Sequence, residues 1–329
     1  VELLVVPEEN LQQLLDPLEV VEAVEMAFRE KGLGRVQMPP KTYLFFAKYN
    51  GDLRVMPAYL ELRDVAGVKL VNVHPDNPER FGIPTVNAVI VLFDPRNGLP
   101  FALLGGTWIT AMRTGAAGAV AAKYLARRDA QVLALIGAGV QARTQLACMV
   151  LVRRITEVRV WSRRAATRRR FIEEMAKAYP DIKFVDCETV EEALFGADII
   201  TTTTPSTRPL VRSEWVDRGV HINAIGADAP GKQELDPMIL KRADKLVVDD
   251  FEQASHSGEI NVPLNRGLLS PRDIYGELGE IVAGRKPGRE HPNELTIFDS
   301  TGLAIQDVAT ACIAYRKARR LGIGLRISI

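Results

Sequence analysis

The sequence predicts an α/β protein of two parts: a parallel sheet covered by helices on both faces, and before it a smaller mixed-sheet α+β region. Three observations carry this. From Gln131 onward, short Val/Ile/Leu runs alternate with helical segments, the texture of strands buried on both faces. Between Met38 and Leu104 the apolar runs are short and are broken by turn signals such as "NGD", "HPDNP" and "DPRNG". The chain has 329 residues, 47% apolar and 25% charged. That is enough for about two ordinary domains with sizeable cores.

Taken in order, the chain opens with an apolar run, Leu3–Val6, read as a strand. Asp16-Pro17 then starts a helix, with Asp16 as N-cap and Pro17 at the first helical position, where a missing N–H loses no bond. Val20, Val24, Ala27 and Phe28 share one face of it. Strand-like runs follow at Lys41–Phe46, Val65–Val73, Val86–Phe93 and Phe101–Leu104, and an Ala-rich helix at Thr107 to about Ala126. The alternating part comprises "QVLALIG", a helix from about Gln141, "EVRVWS", a helix from Ala165 and "IKFVD". A short helix at Val190–Leu194, then "ADIITTTT", "HINAIG", "DKLVVDD" and "LTIFDS" complete it. The last helix, Gly302 to about Arg320, is expected to return to the first region. The expected domains are therefore 1–126 with 301–329, and 127–300.

Composition narrows the function classes. A net charge of +1 gives no electrostatic reason to expect a nucleic-acid or anionic-membrane partner. Cys148, Cys187 and Cys312 are scattered and include no C-x-x-C pair, which argues against a disulfide framework or zinc site and suits a reducing cytosol. No leader segment and no apolar run of spanning length are recognised, so a cytoplasmic protein is expected. The four histidines lack H-E-x-x-H or H-x-H spacing, so no metal is expected. There is no G-x-S-x-G elbow for a serine nucleophile.

In "LALIGAGVQARTQ", Gly137 and Gly139 directly follow the first strand of the alternating region and open a helix. Glycines there let the backbone turn tightly and approach a pyrophosphate that rests on the helix N-terminus. With Ala142 where a third glycine often sits, this fits the Rossmann dinucleotide fingerprint, its weight coming from the strand before, the helix after and the sheet behind. The alternatives are a glycine turn without a ligand, or a flavin or S-adenosylmethionine site. An NAD site usually places an acid at the end of the second strand. Here "VWSRRAATRRR" places Ser162, Arg163 and Arg164 instead, a hydroxyl and guanidiniums suited to a 2′-phosphate. NADP(H) is favoured, with NAD(H) as the alternative.

The stretch "HINAIGADAPGKQELD" ends an apolar run at Gly226 and sets Asp228 and Lys232 four residues apart around Pro230 and Gly231. Ligands collect at the carboxyl ends of parallel strands, so a fixed acid there is a candidate base. Lys41, Arg54, Lys69, Arg113 and Asp228 together suggest a small anionic substrate held beside a hydride carrier. His74 in "NVHPDN" reads as a turn-stabilising residue first and an acid/base group second.

The segments "KLVNVHPDNP", "MRTGAAGAVAAKYLA", "GAGVQA", "TTTTPS", "HINAIGADAPGKQELD", "GEI" and "FDSTGLAIQDVA" together resemble the ornithine cyclodeaminase/mu-crystallin family. The archaeal alanine dehydrogenase branch is nearest in texture. The resemblance implies a homodimer whose N-terminal domain supplies substrate groups and dimer contacts, with a Rossmann domain for the nicotinamide cofactor. It implies Asp228 as catalytic carboxylate, Lys69 as active-site lysine, and Lys41 and Arg113 as basic residues near substrate carboxylate and cofactor. Gly226, Ala227 and Lys232 would line the cofactor, and Thr85, Val140, Gln141, Thr204 and Ser300 match cofactor-contact positions. Ornithine cyclodeaminases carry an acid just before the "MP" of the segment matching "DLRVMP", whereas Arg54 stands there in this sequence, as arginine does in the alanine dehydrogenase branch. A guanidinium would repel ornithine's distal ammonium. The implied activity is an NAD(P)-dependent amino-acid dehydrogenase or imine reductase acting on L-alanine, a 2-oxo acid such as pyruvate, or a cyclic imine. The alternatives are ornithine cyclodeaminase and an NADP(H)-binding protein of the mu-crystallin kind.

Overall fold

The computed structural model describes residues 2–328. They group into two compact units, Val1–Arg113 with Leu303–Ile329, and Thr114–Gly302. The division falls inside the unbroken helix Thr107–Leu125, so no turn signal or composition change marks it in the sequence.

The first unit is built on a mixed sheet. Its strands are β1 (Glu2–Val6), β2 (Val36–Gln37), β3 (Thr42–Phe46), β4 (Gly51–Leu60), β5 (Val65–Val73), β6 (Val86–Phe93) and β7 (Pro100–Gly105). The last strand of the chain, Leu325–Ser328, completes it beside β1. The order runs from that strand through β1, β7, β6, β5 and β4 to β2, with β3 also on β4. β1 is parallel to β7 and the other pairings are antiparallel. β4 had no strand signal because Pro57 sits within it, and proline cannot donate a ladder bond. Pro57 lies between Gly51–Val55, paired to β3, and Tyr59–Leu60, paired to β2, so neither neighbour asks it for an N–H.

One face of this sheet carries Met56, Ala58, Val65, Lys69, Val71, Ile90 and Leu92, all buried, and helix Ala304–Leu321 packs against β4, β5 and β6. Asp16 caps helix Pro17–Gly32 by accepting from the N–H groups of Leu18 and Glu19. The start of helix Thr107–Leu125 is anchored by Glu8, whose carboxylate accepts from the N–H groups of Thr107 and Trp108 at 3.1 and 2.5 Å.

The second unit is a wholly parallel sheet of β8 (Val132–Ile136), β9 (Glu157–Trp161), β10 (Lys183–Asp186), β11 (Ile199–Thr202), β12 (His221–Ala224), β13 (Lys245–Val248), β14 (Gly276–Glu277) and β15 (Thr296–Asp299). Its order is β10-β9-β8-β11-β12-β15-β13-β14. Alternate residues of β8 enter different apolar clusters, Leu133 and Leu135 one and Ala134 and Ile136 the other, so both faces are covered. The strand order reverses between β8 and β11, the switch point where doubly wound sheets bind ligands. His221, wholly buried between Thr296 and Asn223, has its pKa driven down to about 3 by burial, and so packs as a neutral ring.

Candidate active site

In the first unit, strand alternation sets Lys69 on the buried face of β5, directly opposite Met56 on β4 and Ile90 on β6. The side chain is 1% exposed. A buried ammonium needs an anion, and Asp307 in the first turn of helix Ala304–Leu321 accepts from Lys69 Nζ at 2.8 Å. The same oxygen, Oδ1, accepts from Arg113 Nε at 2.9 Å, and Arg113 Nη1 donates to Gln306 Oε1 at 2.9 Å. Two cations thus share one carboxylate oxygen. Burial, then the Arg113 charge, pulls Lys69 down to about 7 against the opposing pull of Asp307, and Lys41 adds to the lowering. A lysine at that value can hold or release its proton near neutrality.

Asp307 was missed from the sequence. It sits in the "AIQDVATA" stretch, whose polar pair in an otherwise apolar helix was the available signal. Asp307 Oδ2 and Gln306 Nε2 are both buried without a hydrogen-bond partner among the described residues, polar atoms left able to receive something further. Arg54 is also buried on the helix-covered face of β4, but its guanidinium is held by Asp52 at 2.8 and 3.2 Å and lies over the Tyr43 ring. Its charge is therefore partly neutralised by a neighbour two residues away on the same strand. Thr85, half-buried before β6, accepts from the N–H of His74 through its carbonyl. The His74 ring stacks on Phe46, as a turn-packing histidine would.

In the second unit, Gly137 follows β8 with φ +120°, and a Cβ there would strike Thr203 Oγ1 after β11. Gly139 faces open space, and helix Val140–Met149 starts on it with no side chain capping its first N–H groups. Val140 is 60% exposed there and Gln141 follows it in the first turn. A glycine turn under an uncapped helix start, beside exposed apolar surface, fits a dinucleotide pyrophosphate. Ser300 Oγ and Thr203 Oγ1 are buried without partners among the described residues, hydroxyls still able to bond a ligand. Thr204, which the resemblance matches to a cofactor-contact position, already donates its hydroxyl to Glu234.

At the end of β9, Ser162 is buried, while Arg163 and Arg164 are exposed. The nearby Asp186, at the end of β10, is engaged by the buried Arg168, which also donates to the Ser162 carbonyl. Asp186 therefore supplies no free carboxylate for a ribose.

Beyond β12, Gly226 and Ala227 lead to Asp228, a third exposed and ion-paired to Lys232 at 2.5 Å. Asn261 fixes this loop by accepting from the Gly231 N–H and donating to the Lys232 carbonyl. Below it lie three wholly buried carboxylates, Glu234, Glu259 and Asp299, each pushed upward in pKa by burial, Asp299 to about 8. Among the described residues there is no cluster of three or more His, Cys, Asp or Glu able to hold a metal, and no helix is long and apolar enough to cross a membrane.

Comparison with known proteins places this geometry in context. The chain is 48% identical to the alanine dehydrogenase of Archaeoglobus fulgidus over 99% of this chain and 98% of that one. A solved archaeal alanine dehydrogenase dimer with bound NAD superposes with a TM-score of 0.95 at 47% identity, all of both chains being covered. The Thermococcus litoralis Delta(1)-pyrroline-2-carboxylate reductase, in complex with NADH and L-proline, gives 0.95 at 42% identity, covering 99% of this chain and 100% of that one. The family model matches residues 3–321, and with these relatives it settles the grouping: the chain belongs to the ornithine cyclodeaminase/mu-crystallin family.

Proposed function

We propose that this protein is an NAD(P)-dependent amino-acid dehydrogenase or imine reductase, interconverting L-alanine with pyruvate and ammonia or reducing a cyclic imine. The observation that carries the proposal is the buried Lys69–Asp307–Arg113 cluster, two cations on one carboxylate oxygen, with the lysine brought down to about 7 by burial and by the Arg113 charge. When bound, the nicotinamide supplies the hydride donor or acceptor for the substrate's Cα. The other steps fall to the chain's own residues. Lys41 and Arg113 bind the substrate carboxylate. In the reductive direction Lys69 Nζ gives its proton to the oxygen leaving as water when the 2-oxo acid becomes an imine, and takes it back in reverse. The Asp228 carboxylate takes a proton from the amino group in the oxidative direction, with Lys232 holding it in place. Thr85, Gly137, Gly139, Val140, Gln141, Thr204, Gly226, Ala227 and Ser300 would hold the cofactor.

The pH dependence follows with a definite sign. Below about pH 7 Lys69 carries its proton and can donate; above it the neutral amine can accept. Reductive kcat/KM is expected to fall as pH rises through about 7, and oxidative kcat/KM to rise over the same range. Asp307→Asn removes the anion favouring the ammonium, so this limb should move to lower pH by about one to three units. Initial rates in both directions from pH 5.5 to 9 check it. A limb that stays in place in the variant removes Lys69 from proton transfer.

We favour NADP(H), because Ser162, Arg163 and Arg164 stand where an acid would bind ribose hydroxyls and because Asp186 is already engaged. Arg163→Asp should weaken NADPH binding roughly tenfold to a hundredfold, the worth of one hydrogen bond to a charged group, and leave NADH binding within about threefold. Titration by reduced-nicotinamide fluorescence gives both constants. Equal losses for the two cofactors would remove Arg163 from the phosphate site.

A homodimer is part of this reading. The face of the mixed sheet away from helix Ala304–Leu321 carries Val55, Tyr59, Val68, Leu70, Val89 and Val91, apolar or aromatic and incompletely buried. An apolar sheet face of that kind marks an interface, and a second copy presenting the same face would cover it. A cytosolic setting suits the three cysteines, all buried and unpaired.

A further inference from the structure

Between the ends of β11 and β12, Glu234 places a wholly buried carboxylate. Its Oε2 accepts from Thr202 Oγ1 at 2.7 Å and from the Gly226 N–H at 2.9 Å. Its Oε1 accepts from the N–H and the hydroxyl of Thr204, both at 2.6 Å. Both oxygens are thus saturated by donors from two different strand ends. The fit is tight on the other side too, since a Cβ on Gly226 would strike the Thr204 carbonyl and the Glu234 carboxylate.

Glu234 is itself held from behind. Its N–H and that of Leu235 donate to Glu259 at 2.6 to 3.0 Å, and the N–H groups of Glu259 and Ile260 donate to Asp299, the last residue of β15, at 2.9 and 3.1 Å. Each carboxylate therefore grips the backbone at the root of the next. This chain of three acids runs from the end of β15 to Gly226, and the Asp228 N–H is in turn placed on the Gly226 carbonyl at 3.1 Å. Burying three acid side chains with no basic partner among the described residues is costly, whether as charge or as a raised pKa, and an apolar filling would be cheaper for stability alone. What an apolar filling lacks is the ability to fix two loops to one point.

We propose that Glu234 is a positioning residue for the reaction, locking the Thr204 loop and the Gly226–Asp228 loop in the one arrangement that receives the cofactor and presents Asp228. The inference rests on the reading of these loops as the cofactor and base loops. Glu234→Gln tests it because the carboxamide keeps size and burial but turns an NH2 toward one backbone N–H. A rotating hydroxyl can adapt to that change and a backbone N–H cannot.

NADPH and NADH dissociation constants by fluorescence, kcat and substrate KM, and the thermal midpoint are measured for the wild type and the variant. The expected result is a cofactor constant raised at least fivefold and a kcat at saturating cofactor lowered at least tenfold, with substrate KM within twofold. A folded variant with wild-type cofactor constant and kcat overturns the proposal, including the case where only the thermal midpoint falls. If Glu234→Gln does not fold, Glu259→Gln, one step further from the loops, is expected to show the same split in smaller measure, and wild-type values there overturn the proposal equally. A wild-type protein that binds neither cofactor would instead strike the functional reading itself.

Discussion

Lys69→Met is expected to lower kcat/KM for the 2-oxo acid or imine by about 10³-fold, inside the ~10²–10⁴ range for losing a positioned proton-transfer group. The thioether fills most of the space but carries no proton and no charge. Asp307 keeps Arg113 as a partner after the change, so the anion is not stranded and the fold should survive with a lowered thermal midpoint. The far-ultraviolet circular dichroism spectrum serves as the folding control and should match that of the wild type. A folded Lys69→Met protein retaining a tenth or more of the activity would mean that Lys69 is only a structural counter-ion to Asp307.

Asp228→Asn is expected to lower kcat by about 10²–10⁴-fold. The amide oxygen can still accept from Lys232, and the side chain is a third exposed, so neither loop nor fold loses a buried partner. The variant removes proton acceptance and the charge of the ion pair while keeping the side chain's shape and an oxygen for Lys232. Stopped-flow mixing of the loaded enzyme with substrate reads the chemical step directly. Wild-type rates in that experiment would take the base role away from Asp228 and leave it a loop-fixing residue.

How far the molecule could be read in advance depended on whether the cause was local. The Asp16 cap, the glycine turn after β8 and the Val190–Leu194 helix were legible because neighbours in sequence make them. β4 was not, because Pro57 forbids a paired strand until the gap between β3 and β2 is known. The burial of Lys69 was written in the alternation Val65, Gly67, Lys69, Val71, but its counter-ion lies 238 residues away in the chain. The same distance problem hid Glu234, Glu259 and Asp299, three acids whose partners are backbone N–H groups, and for Glu234 two threonine hydroxyls as well, of other segments. Arg54 adds a local case: its partner Asp52 is two residues away on the same strand, but that pairing shows only once β4 is known to be a strand, which sets both side chains on one face. The partners of these other side chains, and the protonation that follows from them, are set by contacts between distant stretches and were not legible.

The most direct test of the account is absorbance at the reduced-nicotinamide band with purified protein and NADPH or NADH. Pyruvate plus ammonia, then pyrroline-2-carboxylate, would be added as acceptors, with L-ornithine and ammonia detection run in parallel. The account predicts net oxidation of the reduced cofactor by the oxo acid or the imine, faster with NADPH. Proline and ammonia from L-ornithine without net cofactor change, and no oxidation by either acceptor, would contradict it and make the protein a cyclodeaminase despite Arg54.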